Sequence, residues 1–390
     1  MQLIKKQERI GNFAFTVAIW IHLILMSIEL GVWNVPYFGR LMHLAFVLSC
    51  LKIVTTYYSK KEWLLMAGFG CLGVLSYFNT GDEYIISVVV LVFAAKSADI
   101  RRVCKRIFYT TAVFTVGIAI LSLCNIGGVP VIIRNYGRGV EEARWCFGFG
   151  HANNFHGTVW YVVALGIYLF FEKMDWKHYL ILTVGNCGLF YLTASKGGFI
   201  VTQLVILAAM SLRYIKPLAD ALWPYILGVI GVVAVLALSI VSVCIGWTEY
   251  TESAILRFLD RLFTGRINLA FQHAHISQWK WLSSGGELAD TVDNGWVNFG
   301  YYFGGISVAV LVAFHFYLIY RLWKERNALL MAVVVSNALY TFMETTFTMN
   351  SSYLLCNLAY ITAMILLAEK EGNDNGREEI ERNSHSNISL

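Results

Sequence analysis

Charge is scarce in this 390-residue chain: 14% of its residues are Asp, Glu, Lys or Arg, against 57% hydrophobic, and the mean hydropathy is +0.59. A soluble domain of this size could not hide so much apolar surface. Proline is scarcer still. Pro36, Pro130, Pro217 and Pro224 all fall in loops or at the ends of apolar runs, so the sequence shows none of the proline-broken mid-membrane helices common in transporters, and no internal repeat accompanies them. The eight cysteines are scattered, without a CxxC pair or metal-ligand spacing, and read as small apolar residues packed between helices. No small-x-small cleavage pattern follows the first apolar run, 13–32, although Lys5, Lys6 and Arg9 precede it. That run is an uncleaved helix, too long for a secretory leader.

Long apolar runs are what the chain has instead. Candidate spans are 12–32, 38–57, 63–78, 84–98, 107–124, 155–171, 179–193, 197–212, 221–246, 301–320, 328–346 and 351–368. Stretches near twenty apolar residues match a hydrocarbon core of roughly 30 Å at about 1.5 Å rise per residue. Backbone polar groups in lipid must be bonded within the segment, so the runs are helices. The expected fold class is all-α: one polytopic membrane domain over 1–368 with twelve transmembrane helices. The polar tail 369–390, rich in Glu, Asn and Ser, reads as disordered and cytoplasmic.

Orientation follows from the basic residues. With the N-terminus inside, twenty of the thirty lysines and arginines fall in inner segments and nine in outer ones, the bias that membrane insertion selects. Lys52 falls well within a span, near enough to its inner end to snorkel. The net charge of +5 is thus explained by topology and implies no nucleic-acid partner. Seven of the nine outer residues are arginine, whose planar fork suits phosphate or carboxylate.

Two connections are long, 125–154 and 247–300, and both are outside. Long loops in a compact protein are usually functional. The first carries Arg134, Arg138 and Arg144, then Phe147-Gly148-Phe149-Gly150-His151-Ala152-Asn153-Asn154; its glycines either admit an anion to the backbone or serve as ordinary turn residues. The second opens with an amphipathic segment. Ile255, Leu259, Leu262 and Phe263 share one helical face, while Arg257 and Arg261 lie a turn apart on another. Such a helix would lie along the membrane surface, either passively or with its arginines aimed at a lipid phosphate. Beyond it come Arg266, His273, His275, Lys280, Asp290, Asp293 and Asn294. Histidines two apart on a helix face different ways, which argues against a zinc pair. Lys196 sits in the turn Leu192-Thr193-Ala194-Ser195-Lys196-Gly197-Gly198, and Glu344 near the outer end of the eleventh span. At that depth a carboxylate needs a basic partner.

Taken in order, these segments resemble bacterial O-antigen and capsular polysaccharide polymerases of the Wzy type and the related O-antigen ligases. The matching features are Arg144 with the GFGHANN run, the LTASKGG turn, Thr264-Gly265-Arg266, the VDNGWVNFGYYFGG stretch from Val292, and Glu344 followed by an asparagine-containing turn. Lys196 stands where the family usually has arginine, Ala152 where it has proline, and Asp293 where the ligases have histidine. The resemblance implies a metal-independent membrane glycosyltransferase with no cofactor. It would transfer a growing glycan from polyprenyl pyrophosphate to a sugar hydroxyl of another lipid-linked repeat unit, at the outer face of the bacterial cytoplasmic membrane. The implied partners are the polyprenyl-pyrophosphate-linked oligosaccharide, membrane lipid, a chain-length regulator and a flippase.

On this reading Arg266 and Arg144 bind the pyrophosphate, with Arg257, Arg261 and Lys196 behind them. Asp293 is the general base, with His275 as the alternative. Glu344, His151, Asn154 and Asn294 support the site. An O-antigen-type ligase and a lipid-linked glycan transporter or flippase are the rival expectations.

Overall fold

The computed structural model of the protein describes residues 2–31, 33, 35–135, 141–286, 288, 292–345 and 351–368. The tail 369–390, Arg138, Asp290 and the asparagine-containing turn after Glu344 lie outside the described residues. The chain opens with α1 (Gln2–Leu30), α2 (Phe38–Val54), α3 (Lys60–Thr80), α4 (Tyr84–Ala94) and α5 (Ile100–Leu123). An antiparallel hairpin follows, β1 (Val131–Asn135) and β2 (Glu141–Trp145), with Ile132 opposite Arg144 and Arg134 opposite Glu142. Next come α6 (Ala152–Phe170), α7 (Trp176–Thr193), α8 (Lys196–Tyr214), α9 (Lys216–Asp220) and α10 (Trp223–Cys244). The second long connection folds as α11 (Trp247–Glu252), α12 (Ala254–Leu262) and α13 (Arg266–His273). The chain then forms α14 (Gly295–Phe303), α15 (Gly305–Lys324), α16 (Ala328–Met343) and α17 (Leu358–Ala368).

A helix lies over each of the twelve apolar stretches. Seven of these, on α1, α3, α5, α6, α8, α10 and α15, are long and apolar enough to cross a membrane; α4, α16 and α17 are apolar but shorter. The surface has the polarity of a membrane-embedded protein, with Leu64 76% and Phe78 79% exposed on α3, side chains that a water-soluble fold would turn inward.

Several local outcomes differ from the sequence expectation. The hairpin makes the fold nearly, not wholly, helical. The tenth run is two helices, because Gly304 adopts φ 88° and its α-carbon packs against the carbonyl of Trp281, leaving no room for a side chain. Lys52 does not snorkel: it is fully buried, its stem passing Gly11 of α1.

The core centres on α16, which packs against α6, α8, α10, α14 and α15. Trp160 of α6 stacks on Tyr340 of α16 with centroids 4.4 Å apart, Gly157 gives the Tyr340 hydroxyl its space, and Trp296 of α14 donates from Nε1 to the Ala338 carbonyl at 3.1 Å. These contacts bring the first residues of α6, the start of α13 and the last of α16 together at one end of the bundle, the end that also carries the hairpin.

Candidate functional site

The turn between α12 and α13 aims Arg266 inward. Thr264 and Gly265 both have positive φ (58° and 86°), a reversal that glycine makes without steric cost. The buried carboxylate of Asp260 accepts from the Ile267 and Asn268 amides at 2.9 and 3.0 Å, capping α13, while its other oxygen accepts from the Tyr250 hydroxyl at 2.8 Å. Arg266 is then held at the end of α16. Its Nε and Nη2 donate to the Met343 carbonyl at 2.8 and 2.5 Å, Nη2 also donates to Glu344 Oε1 at 3.0 Å, and Nη1 donates to the Phe263 carbonyl at 2.9 Å and to the Thr264 hydroxyl. A guanidinium has five N–H donors. All five are spent inside the protein.

Glu344 Oε1 also accepts from Asn153 Nδ2 at 2.6 Å. The asparagine that reaches the carboxylate is Asn153, which was not among the supporting residues named from sequence; the backbone carbonyl of its neighbour Asn154 accepts from Thr158. The two side chains are about 100° apart around the first turn of α6, and only the rotation of that helix decides between them.

Upstream, Phe147, Gly148 and Gly150 all have positive φ and reverse the chain from β2 into α6, so these glycines act as turn residues. Gly148 packs against Ser122 of α5, whose hydroxyl donates to the Gly128 carbonyl at 2.8 Å. The hairpin is thereby anchored on the end of α5. His151 is the N-cap of α6, its Nδ1 accepting from the Asn153 amide at 3.2 Å. A neutral imidazole that accepts at Nδ1 carries its proton on Nε2, so His151 presents a donor there. Burial lowers its pKa below the ordinary 6.5; the charge of Asp293 pulls the other way, and those of Arg144, Arg134 and Arg266 lower it further. The charges of those four residues therefore all act on one imidazole.

Arg144 is buried, with Nε and Nη2 donating to Glu142 Oε2 at 3.1 and 2.6 Å. Arg134 is exposed, and its side chain has no hydrogen bond or ion pair to a described residue. It was legible as an outer arginine but not as a site residue, because only pairing with β2 places it here. Lys196, exposed at the first turn of α8, likewise has no such partner; its neighbour Gly197 packs on Met343, beside the Arg266 clamp.

Asp293 is half-buried between two pinned residues. The carbonyl of Val292 accepts from Asn298 Nδ2. Asn294, fully buried, caps α14 through Oδ1 and donates to Ser239 Oγ of α10 at 3.1 Å. Asp293 itself makes no hydrogen bond or ion pair with a described residue, and its charge reaches both His151 and Glu344.

Three further candidates, His275, Arg257 and Arg261, make no hydrogen bond to this cluster among the described residues. The His275 ring bonds locally, with Nδ1 2.8 Å from Ser277 Oγ. Arg257 and Arg261 are exposed on α12, Arg257 donating to the Thr251 carbonyl; Ile255, Phe258 and Leu262 of that helix are exposed as well. The cluster thus holds one carboxylate with no partner among the described residues, an imidazole and several cations, a set able to remove a proton from a neutral nucleophile and to stabilise an anionic leaving group. Compared with protein-family models, curated proteins and solved structures, the chain matches none.

Proposed function

We propose that the protein is a membrane glycan polymerase that lengthens a lipid-linked oligosaccharide at the outer face of a bacterial cytoplasmic membrane, with twelve spans and both ends inside. The observation that carries this reading is Asp293: a half-buried carboxylate with no partner among the described residues, whose charge acts on His151 together with those of Arg134, Arg144 and Arg266. Asp293 takes the proton of the acceptor hydroxyl, whose oxygen attacks the anomeric carbon of the donor glycan. The bond from that carbon to the pyrophosphate oxygen breaks, and polyprenyl pyrophosphate leaves with the electron pair.

The leaving group gains negative charge as the bond breaks, and preorganised cations lower that barrier. Arg134, Arg144 and Lys196 serve here. Arg266 is a positioning residue rather than a ligand, because its donors are already occupied by Met343, Glu344, Phe263 and Thr264. The exposed apolar stripe of α12 rests in the membrane interface, and Arg257 and Arg261 meet lipid phosphate there. The test is purified protein incubated with lipid-linked repeat units. A ladder of products of increasing length is expected. Transfer of one unit without a ladder would make the protein a ligase-type transferase, and the absence of any transfer would refute the reading.

A further inference from the structure

An apolar cleft of about 520 Å³ lies between α3 and α4 on one side and α15 and α17 on the other, away from the Arg266–Glu344 cluster. Its size falls within the roughly 300–1,000 Å³ of clefts that bury a small ligand. Along α15 it runs from Ser307 to Arg321, a rise of about 21 Å. The walls are aliphatic and aromatic, and the charged groups lie at the end remote from the hairpin. There Glu62 is already paired with Lys96 at 2.8 Å. Arg321 is different. Its Nη1 donates to the Tyr317 hydroxyl at 3.2 Å and its Nη2 to Glu325 Oε1, while its other three N–H groups have no hydrogen bond to a described residue. Lys60, Lys61, Lys324 and Arg326, all exposed, flank the same end.

The geometry points to a binding site for an anionic phospholipid, one acyl chain lying in the cleft and the phosphate on the open edge of Arg321. Hydrocarbon fits the aliphatic and aromatic walls. The fork of Arg321 matches two phosphate oxygens, and the surrounding basic residues favour a net negative headgroup over a zwitterionic one.

Native mass spectrometry of the detergent-purified full chain, titrated with phosphatidylglycerol or phosphatidylcholine, tests this. Phosphatidylglycerol is expected to bind at least tenfold more tightly. Arg321→Gln should weaken it about tenfold, the scale of a lost charged hydrogen bond. Ala313→Trp, which fills the cleft from an exposed position on its wall, should abolish binding of both lipids with an unchanged melting curve. Val310→Phe replaces it if the tryptophan variant melts early. Equal binding of the two lipids, an unchanged affinity in Arg321→Gln, or wild-type binding in a folded, cleft-filled variant would each overturn the proposal.

Discussion

Arg266→Lys is expected to lower stability by about 3–5 kcal/mol, because an ammonium cannot replace the clamp on Met343 and leaves the buried Glu344 poorly paired. Thermal melts in detergent and membrane protein levels check this; a normally stable variant that only lost polymer would return Arg266 to the pyrophosphate. Asp293→Asn should do the opposite. Removing a general base typically costs about 10²–10⁴ in rate, while the fold should be untouched, because Asn294 rather than Asp293 caps α14. Wild-type ladders from this variant would end the assignment. His151 sets a pH dependence. Its pKa is lowered in the fold from 6.5, chiefly by burial, so in acid the unfolded chain binds the extra proton first. Its contribution is complete above about 6.5 and is lost as pH falls through the lower folded value. His151→Asn, which keeps an N-cap, should flatten the loss of melting temperature in that acid range. Residue types here were legible in sequence: the outer arginines, Asp293 before Asn294 and the late Glu344. Their partners were not, since hydrogen bonds such as Asn153 to Glu344 join residues 191 positions apart.

At the scale of elements, glycine contacts decide how α6 meets α16. A methyl group on Gly157 would lie 1.8 Å from the Tyr340 hydroxyl. Gly157→Ala should therefore push the helices apart, cost about 1–3 kcal/mol and draw Asn153 away from Glu344, seen as a lower melting temperature together with reduced polymer. The amphipathic α12 was readable because its apolar period is local. The hairpin was not: β1 holds only three β-branched residues in a row, Val131-Ile132-Ile133, a run too short to announce a strand, and its pairing depends on β2. The break at Gly304 was hidden for a related reason. Hydropathy continues across it, and only the loop strand at Lys280 and Trp281, which accepts from the Gly305 and Ile306 amides at 2.8 and 3.0 Å, shows why the helix restarts there.

For the whole molecule, the proposed orientation places Gly285 outside and Glu371, in the tail beyond the described residues, inside. In a variant stripped of its own cysteines, a cysteine at 285 should label with a membrane-impermeant reagent in intact cells and one at 371 should not; the reverse pattern would invert the topology. The sequence by itself determined that this is a helical membrane protein, because hydropathy is a property of consecutive residues and a helix satisfies its own backbone in lipid. It also marked where the chain leaves the apolar runs for long connections rich in arginine. Only the tertiary structure decided which of those arginines is a clamp and which has no partner among the described residues, which asparagine meets Glu344, and that the charge of Asp293 reaches His151. Those outcomes depend on helix rotation and on contacts between distant segments, and a linear pattern of polarity carries no record of either.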